Sequence, residues 1–230
     1  MRSCLRITKF ILLVVISFAS CSQPDEPMGN PIYTPTGSTP TAPNSCGSRR
    51  PNDSAIRLLF VGNSLTYSNH LPTLVEAIGK SNGKNMVSEM LALPNYALED
   101  HWNDGKMQRL ICEGDFDFVV VQQGPSSQAD GREMLSDYGQ RIKKICSDRG
   151  TELAFFMVWP AKANWHTFEG VIRNYTDAAS QTESLLCNVG IEFKKLGDGG
   201  DFRFYAADNF HPSAEGSQIA ADIIYSTLVK

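Results

Sequence analysis

Residues 56–66 read Ile-Arg-Leu-Leu-Phe-Val-Gly-Asn-Ser-Leu-Thr. From Leu58 to Val61 the run is apolar at every position, not at alternate ones, which is the pattern of a strand covered on both faces. Gly62 follows and permits a tight turn. Beyond the turn the period changes. Leu71, Leu74, Val75 and Ile78 recur every three or four residues, which predicts a helix over 70–81. A strand, a turn and a helix therefore open the folded region, and Ser64 stands in the turn.

The alternation continues downstream. Apolar runs predict strands at 86–93, 116–122 and 153–159, with a shorter fifth at 191–196. Helical spacing predicts helices over 97–112, 132–149, 168–189 and 213–229. This βαβαβαβαβα order, with uniformly apolar strands, implies an α/β fold: a three-layer α/β/α sandwich around a mostly parallel five-stranded sheet. Reactive groups in such sheets gather past the carboxyl ends of the strands. Here those ends are 62–67, 93–96, 122–127, 159–163 and 197–212.

The region upstream has another character. Arg2, Arg6 and Lys9 precede a ten-residue, largely apolar stretch at 10–19. That stretch is too short to span a bilayer, so 1–20 is expected to be a signal peptide. Phe18-Ala19-Ser20-Cys21 resembles a bacterial lipobox, which implies an exported lipoprotein attached to a membrane only through a lipid on Cys21; phenylalanine is less usual than leucine at the first position, and cleavage without lipidation is the alternative. Residues 21–53 are dense in Pro, Ser, Thr and Gly and bury too little apolar area to offset their ordering entropy, so they are expected to form a tether. The remaining 54–230 is long enough for one core. Loss of 1–20 takes Lys+Arg from 21 to 18 against 25 Asp+Glu, a net charge of −7. A mildly acidic chain with no basic run is a poor nucleic-acid binder. No His/Asp cluster or paired cysteine motif has metal-ligand spacing, so neither metal nor cofactor is expected. Cys46, Cys112, Cys146 and Cys187 remain in the mature chain; they allow three full pairings, and free buried thiols for at least two of them fit as well.

Two strand-end segments carry the chemistry. A serine after a glycine turn, as in Gly62-Asn63-Ser64, presents a hydroxyl above the sheet, although a serine there also commonly caps the next helix. Just before the last helix stands Asp208-Asn209-Phe210-His211-Pro212. Asp and His three apart in a turn can set a carboxylate against one imidazole nitrogen and leave the other for a serine. His70, His101 and His166 are read as surface or packing residues. Trp159, Trp165 and Tyr67 offer an aromatic platform, with apolar packing an equal reading.

Gly62-Asn63-Ser64-Leu65-Thr66 resembles the Gly-Asp-Ser-Leu block of SGNH (GDSL-like) hydrolases, with Asn63 where aspartate is more usual. Asp208 to His211, with Pro212, matches that family's closing block. The resemblance implies a flavodoxin-like fold and a serine esterase acting on a small-molecule or polysaccharide acyl ester: Ser64 as nucleophile, His211 as base and Asp208 as its orienting acid. Two blocks depart from the pattern. The family's second-block glycine, whose N–H helps bind the oxyanion, falls near Leu93-Pro94-Asn95-Tyr96, with Asn95 as the candidate. The third-block asparagine aligns with Gly124, so a glutamine amide, Gln122 or Gln123, is the expected replacement donor, with at most one of the two pointing into the site. The altered third block also implies an alternative, a glycan-binding lipoprotein without efficient catalysis. In a third reading, a structural envelope protein, Ser64 and His211 never meet.

Overall fold

The computed structural model describes Cys46 and residues 54–229. The expected signal peptide at 1–20, Cys21 with its lipid, and all of the tether except Cys46 lie outside the described residues.

Five strands form one sheet: β1 Ile56–Gly62, β2 Met86–Ala92, β3 Phe118–Val121, β4 Glu152–Phe156 and β5 Leu185–Cys187. They lie in the order β2-β1-β3-β4-β5, and every neighbouring pair is parallel. Leu58 to Val61, Val119 to Val121 and Leu153 to Phe156 are all buried, as strands covered on both faces must be. Helix α2 (Leu71–Ser81) packs on α8 (Ala214–Leu228). The helices α3 (Leu98–Asp104) and α4 (Lys106–Glu113) pack on α5 (Ala129–Arg149), which packs on α6 (Phe168–Gln181). The chain leaves β1 toward β2 on one side and later enters β3 on the other. The carboxyl ends of β1 and β3 therefore flank the switch point where open α/β sheets place their sites.

Three expectations are corrected. Residues 191–196 are not a strand but part of helix α7 (Val189–Asp198). Its buried positions are Val189, Gly190, Phe193 and Gly197, which recur at helical spacing on one face, while Ile191 is exposed. The fifth strand is Leu185–Cys187, inside the segment expected to be one helix over 168–189. Helix α6 stops at Gln181, and Glu183 takes a positive φ of 48° to turn the chain into β5. The helix expected over 97–112 is broken at Gly105, whose φ of 70° ends α3 and begins α4.

Cys46 is bridged to Cys112 at the end of α4, while Cys146 and Cys187 are free and buried. Burial pushes the Cys146 thiol up to about 12, so it stays protonated and inert. Among the described residues no helix is long and apolar enough to cross a membrane.

Candidate active site

The turn after β1 is an elbow held from several sides. A short helix, α1 (Ser64–Tyr67), begins directly at the strand end, and its cap is Asn63, whose Oδ1 accepts from the Leu65 N–H at 3.1 Å. The side chain of Ser64 is thereby spared the capping role that its position suggested. Gly62 is required by close approach: a Cβ there would stand 2.4 Å from both Gln122 Oε1 and Thr66 Oγ1. Its carbonyl accepts from Nε2–H of His101 at 2.8 Å. His101 is buried, and burial pushes its pKa down, so the ring donates as neutral imidazole.

The closing block reaches the same place. Ser64 Oγ lies 2.9 Å from His211 Nε2, and His211 Nδ1 lies 2.6 Å from Asp208 Oδ2. A carboxylate only accepts, so Nδ1 carries the proton and donates to Asp208, and Nε2 accepts from the Ser64 hydroxyl. Asp208 Oδ1 also accepts from the backbone N–H groups of Phe210 and His211, each at 3.0 Å, with Asn209 at a φ of 57° shaping the turn. The loop is pinned by Trp159, whose indole donates to the Phe210 carbonyl at 3.0 Å. Asn69, itself at a φ of 52°, donates its amide to the Pro212 and Ser213 carbonyls at 2.9 and 3.1 Å and ties the closing block to the segment after α1.

The bond from His211, helped by the two backbone N–H groups, lowers the Asp208 carboxyl to about 2. Because the folded value lies below the unfolded one, ionised Asp208 favours the folded turn. That contribution is complete above about pH 3.9 and is lost as pH falls through about 2. The expected result is an Asp208 side-chain carboxyl NMR titration with its midpoint near 2 in the native protein, moving up toward about 3.9 in His211→Ala. An unmoved midpoint would show that the imidazole is not what holds the charge.

A cleft of about 400 Å³ opens beside Ser64, bounded by Asn95, Tyr96, Gln123, Ser126, Met134 and Phe210. Asn95 sits in a turn with Pro94 before it, closed by the Tyr96 N–H on the Leu93 carbonyl at 3.3 Å, and its φ is 61°. That left-handed backbone favours glycine first and asparagine next. The N–H groups of Ser64 and Asn95 have no acceptor among the described residues.

The two glutamines are placed differently from each other. Gln122 is buried away from the cleft: its Oε1 accepts from the Asn63 N–H at 3.0 Å and from Thr66 Oγ1 at 2.8 Å, and its Nε2 donates to Asn63 Oδ1 at 3.0 Å. Gln123 lines the cleft, but its amide N–H groups go to Ser126 Oγ at 2.7 Å and the Gly131 carbonyl at 3.3 Å. Gln123 thus uses both amide N–H groups, while Gln122, which donates one, does not line the cleft. Loop 123–128 is held from α6: the Tyr175 hydroxyl donates to the Gln123 carbonyl at 2.7 Å, and Asn174 donates to the Ser126 carbonyl at 2.9 Å.

The other candidates stand apart. His70 and His166 are exposed and do not line the cleft. Trp159 is fully buried and Trp165 packs edge-on against Phe168 and Phe202, so neither forms a platform. Tyr67 is half-buried at the end of α1. Among the described residues no group of His, Cys, Asp and Glu has the arrangement to hold a metal ion.

No protein-family profile matches the chain, and no curated protein matches it. Solved structures do. A protein from Slackia heliotrinireducens described as a candidate SGNH hydrolase is 24% identical, with a TM-score of 0.64 over 76% of this chain and 99% of that one. An acetyl xylan esterase from Geobacillus stearothermophilus is 15% identical, with a TM-score of 0.60 over 76% and 94%. A lipase/acylhydrolase from Enterococcus faecalis is 16% identical, with a TM-score of 0.59 over 74% and 94%. The fold is that of the SGNH hydrolases. Asn95 has a backbone conformation that glycine also adopts. Beside Gly124 there is open space: a Cβ there would meet nothing within 4 Å.

Proposed function

We propose that this chain is a carboxylic ester hydrolase with Ser64 as nucleophile, His211 as general base and Asp208 as the residue that orients it. The observation that carries the reading is the unbroken relay from Ser64 Oγ to His211 Nε2 (2.9 Å) and from His211 Nδ1 to Asp208 Oδ2 (2.6 Å). His211 takes the hydroxyl proton as Ser64 Oγ bonds to the ester carbonyl carbon. The N–H groups of Ser64 and Asn95 receive the negative oxygen. Collapse breaks the carbonyl carbon–alkoxy bond, and His211 returns its proton to the departing alcohol. Water, deprotonated by His211, then releases the acyl group as carboxylic acid and restores the Ser64 hydroxyl.

The substrate we favour is an acetyl ester on an extracellular polysaccharide. Supporting it are the small cleft beside Ser64, the acetyl xylan esterases among proteins of the same fold, and the signal-like composition of 1–20. On this reading the protein is exported and held to a membrane through Cys21. A second reading, a glycan-binding protein without efficient catalysis, is favoured by the place of Gln122 away from the cleft and by the engaged amide N–H groups of Gln123, which leave no glutamine donor facing the cleft.

A fluorophosphonate probe separates the two. The hydrolase takes up one equivalent, found on the Ser64 peptide, and His211→Ala slows that labelling by orders of magnitude. Carbohydrate binding with Ser64 left unlabelled rejects the hydrolase.

A further inference from the structure

Asn63 stands where aspartate is more usual in chains of this pattern, and the structure makes its amide group specific. Its Nδ2 donates to the Tyr96 carbonyl at 3.0 Å, while its Oδ1 accepts from the Leu65 N–H at 3.1 Å and from Gln122 Nε2 at 3.0 Å. The partners leave no choice of orientation, because a backbone N–H only donates and a carbonyl only accepts. Gln122 closes the ring by accepting from the Asn63 N–H and from Thr66 Oγ1. Asn63 and Gln122 are both buried, so the bonds between them are made away from water, while the bond to Tyr96 is part-buried at the edge of the cleft. The elbow after β1, the turn after β2 and the end of β3 are thus tied into one unit through two neutral amides.

We propose that Asn63 and Gln122 are positioning residues that hold the Asn95 turn in register with Ser64, and that aspartate at position 63 defeats this. The proposal rests on the hydrolase reading above. An aspartate keeps both accepted bonds, so it still caps α1. It has no N–H for the Tyr96 carbonyl and sets a negative oxygen against that carbonyl's own negative end. The Asn95 N–H then loses its fixed distance to the oxygen that develops on the ester. Displacement of a catalytic group by about 1 Å costs on the order of 100-fold, and loss of one oxyanion donor about 100- to 1,000-fold.

The test compares wild type, Ser64→Ala, Asn63→Asp and Asn63→Ser on a chromogenic acetate, with amide hydrogen exchange at Tyr96 read in each. Serine also caps a helix but is too short to reach Tyr96, so it supplies a neutral second variant if the aspartate fails to fold. The expected result is a fall in kcat of about 30- to 100-fold in both position-63 variants, KM within about 3-fold of wild type, and faster exchange of the Tyr96 N–H by about 10-fold or more. A folded variant that keeps wild-type kcat overturns the proposal. So does a loss of kcat with Tyr96 exchange unchanged, since the damage then lies elsewhere. If wild type turns over no ester, or turns it over no faster than Ser64→Ala, the hydrolase reading fails by itself. The exchange comparison then still decides whether Asn63 holds the turn.

Discussion

Ser64→Ala is expected to remove acetate release almost entirely, by about 10⁴- to 10⁶-fold in kcat, with the fold unchanged. The size follows from what the hydroxyl does: without it no covalent step is available, and only binding and the oxyanion donors remain to assist attack by water. The intact fold follows from the local structure. Ser64 is the first residue of α1, a position that tolerates alanine, and the cap is supplied by Asn63. The only side-chain bond of Ser64 among the described residues is the one to His211. Initial rates on acetylated xylan, other acetylated glycans and a chromogenic acetate, with a thermal melt of each protein, make the comparison. Matching rates in wild type and variant would end the assignment of Ser64.

Asp208→Asn is expected to cost about 10³- to 10⁴-fold in kcat, again without loss of the fold. Asparagine can keep an oxygen where Oδ1 accepts from the Phe210 and His211 N–H groups, so the turn survives. Its NH2 then faces His211 Nδ1, which must accept. That moves the ring proton to Nε2, where it points at Ser64 and can no longer remove the hydroxyl proton. Because Asp208 is about half exposed (49%), water competes for the ring and the loss should fall toward the lower end. The imidazole NMR signature should switch from Nδ1–H to Nε2–H in the same variant. Full activity with the switched tautomer would remove His211 from the role of base.

The three central strands were legible because they are buried on both faces. Leu58 to Val61, Val119 to Val121 and Leu153 to Phe156 carry their location in an unbroken apolar run. Of the two edge strands, β2 was read at 86–93 but β5 was not. β5 has only three residues, so it leaves almost no pattern, and the helix after it was read as the strand in its place. The cysteine pairing was closed to sequence for a related reason: Cys46 and Cys112 are 66 residues apart, and only the path of the chain shows that they meet.

The candidate site divides along the same line. Ser64, Asp208 and His211 could be read from residue type and from their places before and after predicted elements, because a hydroxyl, an imidazole and a carboxylate at strand ends imply one kind of chemistry. Gln122 and Gln123 could not be assigned this way, because an amide is donor and acceptor at once and its use depends on what surrounds it. Sequence by itself determined the layered α/β architecture and the rim on which the reactive side chains stand, through the period of its apolar residues. Only the tertiary structure decided that residues 64 and 211 lie within hydrogen-bond reach, and that Gln122 faces Asn63 and not the cleft. Long-range contacts are fixed by how helices pack across the sheet, and that packing leaves no local period in the chain.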